Sequence, residues 1–227
     1  MALTAGLFDV DGTLADTNYL HAVTWWEAFA QAGHDVPMAS VHRVVGMGSD
    51  QLLDAVLPGN RDRAADSSIT GAHSALYSTY WSRIRPLPGA RKLLCACKDA
   101  GLRVVLASSA NPPEFAALRA ALACDDVIDA ATSAGDVDKS KPAPDLVQVA
   151  LEKAGVPADE AVFVGDTVWD VRACQKAGVP CVGLLSGGIA AAELSAAGAV
   201  AVFDDPAALL DSTGGQLAQV IDGNQGR

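Results

Sequence analysis

The chain has 227 residues, 50% apolar and 19% charged, a composition typical of a globular protein with a buried core. Its formal net charge of -11 argues against sequence-independent binding to nucleic acid or to an anionic membrane surface. No apolar run is long enough to span a membrane, and the N-terminus does not resemble a signal peptide. The five cysteines include no C-x-x-C pair, which favours buried thiols in a reducing compartment over structural zinc. We therefore predict a cytoplasmic protein that binds neither nucleic acid nor a membrane.

A short apolar stretch, residues 3–8, is typical of a buried strand, and the motif D-V-D-G-T follows it at residues 9–13. Asp9 and Asp11 are two residues apart, so in an extended chain their carboxylates leave on the same side. Two close carboxylates are tolerated if one is protonated, if a cation lies between them, or if both face water. The alternative interpretation is an ordinary Asp-Gly turn at the end of a strand.

Residues 15–83 have a helical pattern and are predicted to form a small helical unit inserted after the first strand. Its first helix is predicted to end at Gly33 and to pack through residues spaced i, i+3, i+4 and i+7, namely Ala22, Trp25, Trp26 and Phe29. Residues 37–83 contain no convincing buried strand. They favour several short helices, with breaks around residues 46–48 and 58–60.

From Pro86 onward, helical stretches that end at glycine alternate with short apolar runs. The predicted strands lie at residues 104–107, 127–129, 161–164, 181–184 and 199–203. This alternation predicts an α/β protein with a parallel sheet covered by helices on both faces. The predicted core comprises residues 1–14 and 84–227.

Polar residues follow several of these strands, and in a parallel sheet ligands bind at the carboxyl ends of the strands. They are Asp9, Asp11, the segment Ser108-Ser109-Ala110-Asn111, Asp166 and, four residues later, Asp170. Lys141 precedes a predicted helix. Each has an ordinary structural explanation, as a helix cap, a turn residue or a solvated charge. Together they fit a Mg²⁺ site with a lysine and a hydroxyl that bind phosphate.

The motif D-V-D-G-T, the Ser108 turn, Lys141-Pro142 and the segment G-D-T-x-x-D at residues 165–170 resemble the four ordered motifs of the haloacid dehalogenase superfamily. The resemblance spans nearly the whole chain. It implies a Rossmann-like core with a helical cap over the site. It also implies that Asp9 is the nucleophile, Asp11 the general acid and then base, and that Ser108 and Lys141 hold the phosphoryl group. Mg²⁺ is then bound by Asp9, the Asp11 backbone carbonyl and Asp166, with Asp170 supporting this metal shell. We expect further substrate contacts from Thr13, His21, Arg43, Gly46, Ser109 and Asn111.

The acid at position 11 favours an oxygen leaving group, because the dehalogenase and phosphonate-cleaving branches lack it. In layout the chain resembles phosphoglycolate phosphatases, sugar-phosphate phosphatases and β-phosphoglucomutases. Mutases similar to this chain carry basic residues near the positions of Val45 and Ser49, whereas only Arg43 is nearby here. We therefore predict a Mg²⁺-dependent phosphatase that hydrolyses a small phosphorylated metabolite through an aspartyl-phosphate. The alternatives are a sugar-phosphate mutase and a non-catalytic protein that binds a phosphorylated metabolite; the sequence is compatible with a monomer or a weak homodimer.

Overall fold

The computed structural model describes residues 3–136 and 139–224, which form six β-strands and eleven α-helices. The strands are β1 (Ala5–Phe8), β2 (Arg103–Ala107), β3 (Ala130–Thr132), β4 (Ala161–Gly165), β5 (Cys181–Leu184) and β6 (Ala201–Phe203). The helices are α1 (Asn18–Gln31), α2 (Met38–His42), α3 (Ser49–Val56), α4 (Asp66–Ser78), α5 (Ala90–Asp99), α6 (Pro112–Leu122), α7 (Asp145–Ala154), α8 (Val168–Ala177), α9 (Ala191–Ala197), α10 (Pro206–Thr213) and α11 (Ala218–Asn224). None of the helices in these described segments is long and apolar enough to cross a membrane.

All six strands pair in parallel, in the order β3-β2-β1-β4-β5-β6. This arrangement confirms the predicted α/β class with a Rossmann-like sheet. Phe8, the last residue of the central strand β1, pairs with Leu106 on one side and Val164 on the other. The carboxyl ends of these three strands therefore lie side by side at the same edge of the sheet. The residues that follow the three strands lie close together there.

Two hydrophobic clusters cover the two faces of the sheet, because side chains along each strand alternate between the faces. Phe8 of β1 packs in the cluster that includes buried residues of α5, α6 and α10. Ala5 and Leu7 of the same strand pack in the other cluster, with α7, α8 and α9. The sheet is thus buried on both faces, as parallel sheets are.

Helices α1 to α4 have a hydrophobic cluster of their own. It is built from Trp25 and Phe29 of α1, Val41 of α2, Leu52 and Leu53 of α3, and Ile69 of α4, with a few neighbouring apolar residues. This segment contains short helices and no named strand. Non-helical residues interrupt the helices at 46–48 and 58–60, as predicted. The domain bounds 1–14, 15–83 and 84–227 themselves stay a prediction.

Two details of the sequence prediction are wrong. The third strand is Ala130–Thr132 rather than residues 127–129, because Val127 is in a turn and Asp129 binds the backbone N–H of Val104 through its carboxylate. Trp26 is 37% exposed and so lies outside the packing face that holds Trp25.

Candidate active site

A tight turn after β1 begins the site. Gly12 has a φ of +74°, a conformation that L side chains rarely adopt. A Cβ atom there would also lie 2.4 Å from the Asn18 amide nitrogen. The turn is closed by hydrogen bonds from Gly12 N–H to Ala15 O (2.8 Å) and from Ala15 N–H to Val10 O (2.9 Å). It brings the start of α1 back over the end of the sheet.

Four ionisable side chains from distant segments form the first group of the site, which we call the lysine cluster: Asp9, Asp166, Asp170 and Lys141. Lys141 Nζ donates hydrogen bonds to Asp9 Oδ1 (3.0 Å) and to Asp170 Oδ1 (2.8 Å). One carboxylate oxygen from each aspartate lies within 4.8 Å of the others. The side chains of Lys141, Asp9 and Asp170 are only 3%, 6% and 0% exposed.

Neutral groups hold the two aspartates that follow β4. Asp166 accepts hydrogen bonds from Thr13 Oγ1 (2.7 Å) and Asn18 Nδ2 (2.6 Å). Asp170 and Thr167 form a capping box at the start of α8, in which Asp170 Oδ2 accepts from the Thr167 backbone N–H (3.0 Å) and hydroxyl (2.6 Å). Both carboxylates are therefore fixed in orientation before any ligand binds.

Burial and mutual repulsion disfavour the ionised forms of two acids of the lysine cluster, Asp9 and Asp166. Burial raises the pKa of Asp9 well above its ordinary value, and the charge of Lys141 opposes this rise. Burial, together with the charge of Asp170, raises the pKa of Asp166 to about 7. For Lys141 the two aspartates outweigh burial and raise the pKa, so the ammonium stays charged.

The donor set of the lysine cluster fits Mg²⁺. Three carboxylates face one ammonium, so a further cation would offset their repulsion, and hard oxygen ligands are those that Mg²⁺ prefers. Among the described residues, Asp9 accepts a side-chain hydrogen bond only at Oδ1. Within the described residues, its second oxygen therefore accepts no side-chain hydrogen bond that a metal ion would have to displace.

A second group, which we call the histidine cluster, comprises Asp11, His21 and Glu114. His21 Nε2 lies 3.3 Å from Asp11 Oδ1 and 3.7 Å from Glu114 Oε1. Thr17 Oγ1 donates a 2.7 Å hydrogen bond to the same Asp11 oxygen. The Asp11 carboxylate is thus held by α1, whereas Asp9 is held by the lysine.

His73 of α4 extends this cluster. Its Nε2 lies 3.3 Å from His21 Nδ1, and its ring stacks on Trp25 at 4.0 Å between centroids. Burial and the charge of His21 lower the pKa of His73 to about 2, so its ring is neutral. His21 also stacks on Tyr77 at 4.0 Å.

The two aspartates of the D-V-D motif differ in their acidity. For Asp11, burial would raise the pKa, but the hydrogen bonds from His21 and Thr17 outweigh it and lower the pKa. The pKa of His21 is raised, because the Asp11 hydrogen bond and the charges of Asp11 and Glu114 outweigh burial. Burial raises the pKa of Glu114 to about 7.

Both clusters border one cavity of about 330 Å³. Its lining includes Asp9 and Lys141 of the lysine cluster, all three residues of the histidine cluster, the loop residues 45–49 and the segment 109–111. The loop that carries Lys141 is held against α3 by a hydrogen bond from Gln51 Nε2 to Ser140 O (2.9 Å). The cavity therefore lies between the end of the sheet and helices α1, α3 and α4.

The expected substrate contacts fall into two sets. His21, Gly46, Ser109 and Asn111 line the cavity. Thr13 instead donates to Asp166, and Arg43 pairs with Glu193 on the surface with its side chain 54% exposed. Ser108 is buried next to the cavity lining, and its Oγ accepts from the Ala110 N–H at 3.1 Å.

Sequence reasoning missed four residues of the site: Thr17, Asn18, His73 and Glu114. Thr17 and Asn18 follow the D-V-D-G-T motif closely and lie at the start of α1. Their closeness to the motif in the sequence could have identified them as site residues. His73 and Glu114 lie within helices far along the chain, and no local pattern distinguishes them. Only the fold brings them to Asp11.

Comparison with known proteins identifies the class. The family described as haloacid dehalogenase-like hydrolase matches residues 4–178, so the chain belongs to this family of hydrolases. The phosphoglycolate phosphatase of Rhodospirillum rubrum is 31% identical over 224 residues, which cover 92% of this chain and 90% of that protein. These matches confirm the predicted family and a hydrolase of the phosphatase type.

Solved structures of similar proteins have the same fold as this chain. A hydrolase from Pseudomonas syringae superposes with a TM-score of 0.87 at 33% identity, covering 92% of this chain and 97% of that one. CbbY from Rhodobacter sphaeroides, solved as a mutant with xylulose-(1,5)bisphosphate, has a TM-score of 0.72 at 26% identity, covering 90% and 95%. A stretch of the chloroplast protein SUPPRESSOR OF QUENCHING 1 of Arabidopsis thaliana is 30% identical over 79% of this chain, but the match spans only 18% of that longer protein.

Proposed function

We propose that this protein is a Mg²⁺-dependent phosphatase that hydrolyses a small phosphorylated metabolite through an aspartyl-phosphate on Asp9. The observation that carries the proposal is the setting of Asp9. It lines the cavity, its Oδ1 is held by Lys141, and Oδ2 accepts no side-chain hydrogen bond within the described chain. An oriented carboxylate with one oxygen available suits attack on phosphorus.

In the first step, Asp9 attacks phosphorus and the bond from phosphorus to the leaving oxygen breaks. Lys141 holds the phosphoryl oxygens, assisted by the loop at Ser108 and Ser109. Asp9, the Asp11 backbone carbonyl and Asp166 would hold Mg²⁺, which would supply charge neutralisation at the phosphoryl group. Asp170 keeps Lys141 in position through its 2.8 Å hydrogen bond.

Asp11 transfers a proton in each of the two steps. It donates one to the leaving oxygen in the first step. It then takes one from the water that attacks the aspartyl-phosphate, whose bond to Asp9 breaks to release phosphate. The charge of a bound phosphate disfavours a second nearby anion and so favours the protonated Asp11 that the first step needs. His21 and Thr17 fix the carboxylate that performs both transfers.

Two properties of the cavity support a single phosphate on an uncharged leaving group. Its volume of about 330 Å³ is at the small end for ligand sites. Among the described lining residues, Lys141 is the only lysine or arginine, and Glu114 lies at the leaving-group side with Asp11. A second phosphate, or the carboxylate of phosphoglycolate, would have no lysine or arginine as a counter-charge there. This favours a sugar or polyol phosphate over phosphoglycolate, and hydrolysis over a mutase reaction.

The test is phosphate release with Mg²⁺ from matched esters: glycerol phosphate, a hexose phosphate, phosphoglycolate and phosphoethanolamine. We expect kcat/KM to be higher for the uncharged leaving groups than for phosphoglycolate. A parallel incubation with a hexose 1-phosphate and a trace of the bisphosphate, followed by ³¹P NMR, detects mutase activity as isomerised sugar phosphate. No phosphate from any ester, including an activated aryl phosphate, would contradict the proposal.

A further inference from the structure

The histidine cluster combines three potential metal ligands, two carboxylates and one imidazole, from three parts of the fold. Asp11 comes from the turn after β1, His21 from α1 and Glu114 from α6. One ligand atom of each lies within 4.8 Å of the other two. The side chains of Asp11, His21 and Glu114 are 24%, 11% and 12% exposed, so all three are largely shielded from water.

We propose that Asp11, His21 and Glu114 form a second cation site, selective for a borderline divalent ion such as Zn²⁺, and that filling it inhibits the enzyme. The binding goes beyond the proposed function, whereas the inhibition rests on the proposed role of Asp11. A Zn²⁺ ion bonds nitrogen and oxygen at about 2.0–2.2 Å, so tetrahedral ligand atoms are about 3.3–3.5 Å apart. The two distances from His21 Nε2, 3.3 and 3.7 Å, are close to this spacing.

The atoms behind the three ligands support this assignment. His21 Nδ1 is paired with His73 Nε2 at 3.3 Å, and the second nitrogen of a metal-bound histidine commonly has such a partner. Asn111 Nδ2 donates to Glu114 Oε2 at 3.1 Å, which leaves Oε1 directed to His21. Thr17 holds Asp11 from the other side. The arrangement therefore needs little reorganisation to take an ion.

The two clusters select different ions. The lysine cluster offers only carboxylate oxygens, the ligands that Mg²⁺ prefers. The histidine cluster includes an imidazole nitrogen, which suits Zn²⁺ and other first-row divalent ions better than Mg²⁺. All three of its ligands line the cavity, so a fourth position would be open to water or to a substrate oxygen.

Occupation of the site has a defined consequence. A carboxylate bound to Zn²⁺ cannot donate a proton to the leaving oxygen or accept one from water. Because the ion does not compete for the lysine cluster, excess Mg²⁺ will not relieve this inhibition. A Zn²⁺ ion that simply replaced Mg²⁺ would behave in the opposite way.

The binding experiment uses the full chain in saturating Mg²⁺. ZnCl₂ is titrated by calorimetry, and the ion is located in crystals from anomalous differences at the zinc edge. We compare Glu114→Gln and His21→Gln with the matched variants Glu193→Gln and His34→Gln, whose positions lie outside the cavity lining. We expect a single site in the parent protein and an affinity at least about 10-fold weaker in the first two variants only, since even outer partners of metal ligands are worth 10–100-fold.

The readings separate the two proposals. Equal Zn²⁺ affinity in all four variants, or a loss in Asp166→Asn instead, would overturn the second cation site. Melting temperatures check that each variant is folded. With a substrate in hand, the Zn²⁺ concentration for half inhibition should not change when Mg²⁺ is raised tenfold, and should rise in Glu114→Gln. If no substrate is hydrolysed, the proposed function fails while calorimetry still decides the binding.

Discussion

The lysine cluster and the histidine cluster contain the same kind of acid but differ in the cation that faces it. Asp9 faces an ammonium that is 3% exposed and stays charged. Asp11 faces an imidazole, whose charge depends on its surroundings. The first arrangement suits a nucleophile that must stay oriented, and the second suits a group that exchanges protons. Two aspartates two residues apart thus receive different chemistry from their partners.

The clusters also differ in how they are assembled. The lysine cluster is built from segments that follow β1 and β4 and from the loop before α7, so the sheet fixes it. The histidine cluster joins Asp11 and Glu114 to His21 of α1, with His73 of α4 behind it. The geometry of the histidine cluster therefore depends on how these helices pack over the sheet. Mutations in the two clusters should give distinguishable effects.

The largest effect is expected for Asp9→Asn, which removes the proposed nucleophile. We expect kcat to fall by about 10⁴-fold or more, as when a member of a catalytic unit is lost. The loss should be equal for natural and activated aryl phosphates, because both need the attack. Phosphate release measures it, with the exposed Asp204→Asn as the matched control. Substantial turnover in purified Asp9→Asn would exclude the covalent route.

Asp11→Asn should lose less rate than Asp9→Asn, and the size of the loss should depend on the leaving group. Loss of general acid–base catalysis typically costs about 10²–10⁴-fold. An aryl phosphate whose leaving group needs no proton should still react with Asp9, which gives a burst of the phenol followed by slow turnover. Rapid-quench kinetics detect the burst. If natural and activated esters lose rate equally at the first step, Asp11 is not the acid.

Lys141→Ala tests the fixed cluster in both rate and stability. We expect a rate loss of about 10²–10³-fold, as for removal of one preorganised donor. The variant also leaves the buried Asp9 and Asp170 without their shared cation, so the free energy of unfolding should fall by about 3–5 kcal/mol. Chemical denaturation measures this loss. Lys153→Ala, whose ion pair with Asp136 is about one-third exposed, is the control and should change stability far less.

The two clusters also differ in how far the sequence predicted them. The lysine cluster was predicted, because each member lies beside a strand end or in a recognisable motif, and level parallel strands bring such residues together. The histidine cluster was predicted only through Asp11 and His21. Glu114 and His73 lie in helices without a motif, and their approach to His21 depends on tertiary packing. The position of β3 was missed for a related reason, since Ala130 and Ala131 have weak strand propensity beside the more apolar Val127.

Mg²⁺ alone should stabilise the protein, because it offsets repulsion among the carboxylates of the lysine cluster. A ligand present at 100 times its Kd adds about 2.7 kcal/mol to the free energy of unfolding. We expect the melting temperature to rise with Mg²⁺ in the parent protein and much less in Asp166→Asn. The exposed Asp204→Asn should keep the full rise. An equal rise in both variants would place the ion elsewhere.

The smallest effect is expected for Arg43→Ala. It compares the exposed charge of Arg43 with the buried charge of Lys141. Arg43 pairs with Glu193 where both side chains are at least one-third exposed, so the pair is screened by water. Because its guanidinium does not line the cavity, kcat/KM for a monophosphate should change by less than about fivefold. A loss as large as that of Lys141→Ala would mean that Arg43 leaves Glu193 and reaches the substrate during turnover. Glu193→Ala alone distinguishes the cases, because loss of the exposed ion pair predicts the same change in Glu193→Ala as in Arg43→Ala, whereas a substrate contact predicts the loss in Arg43→Ala only.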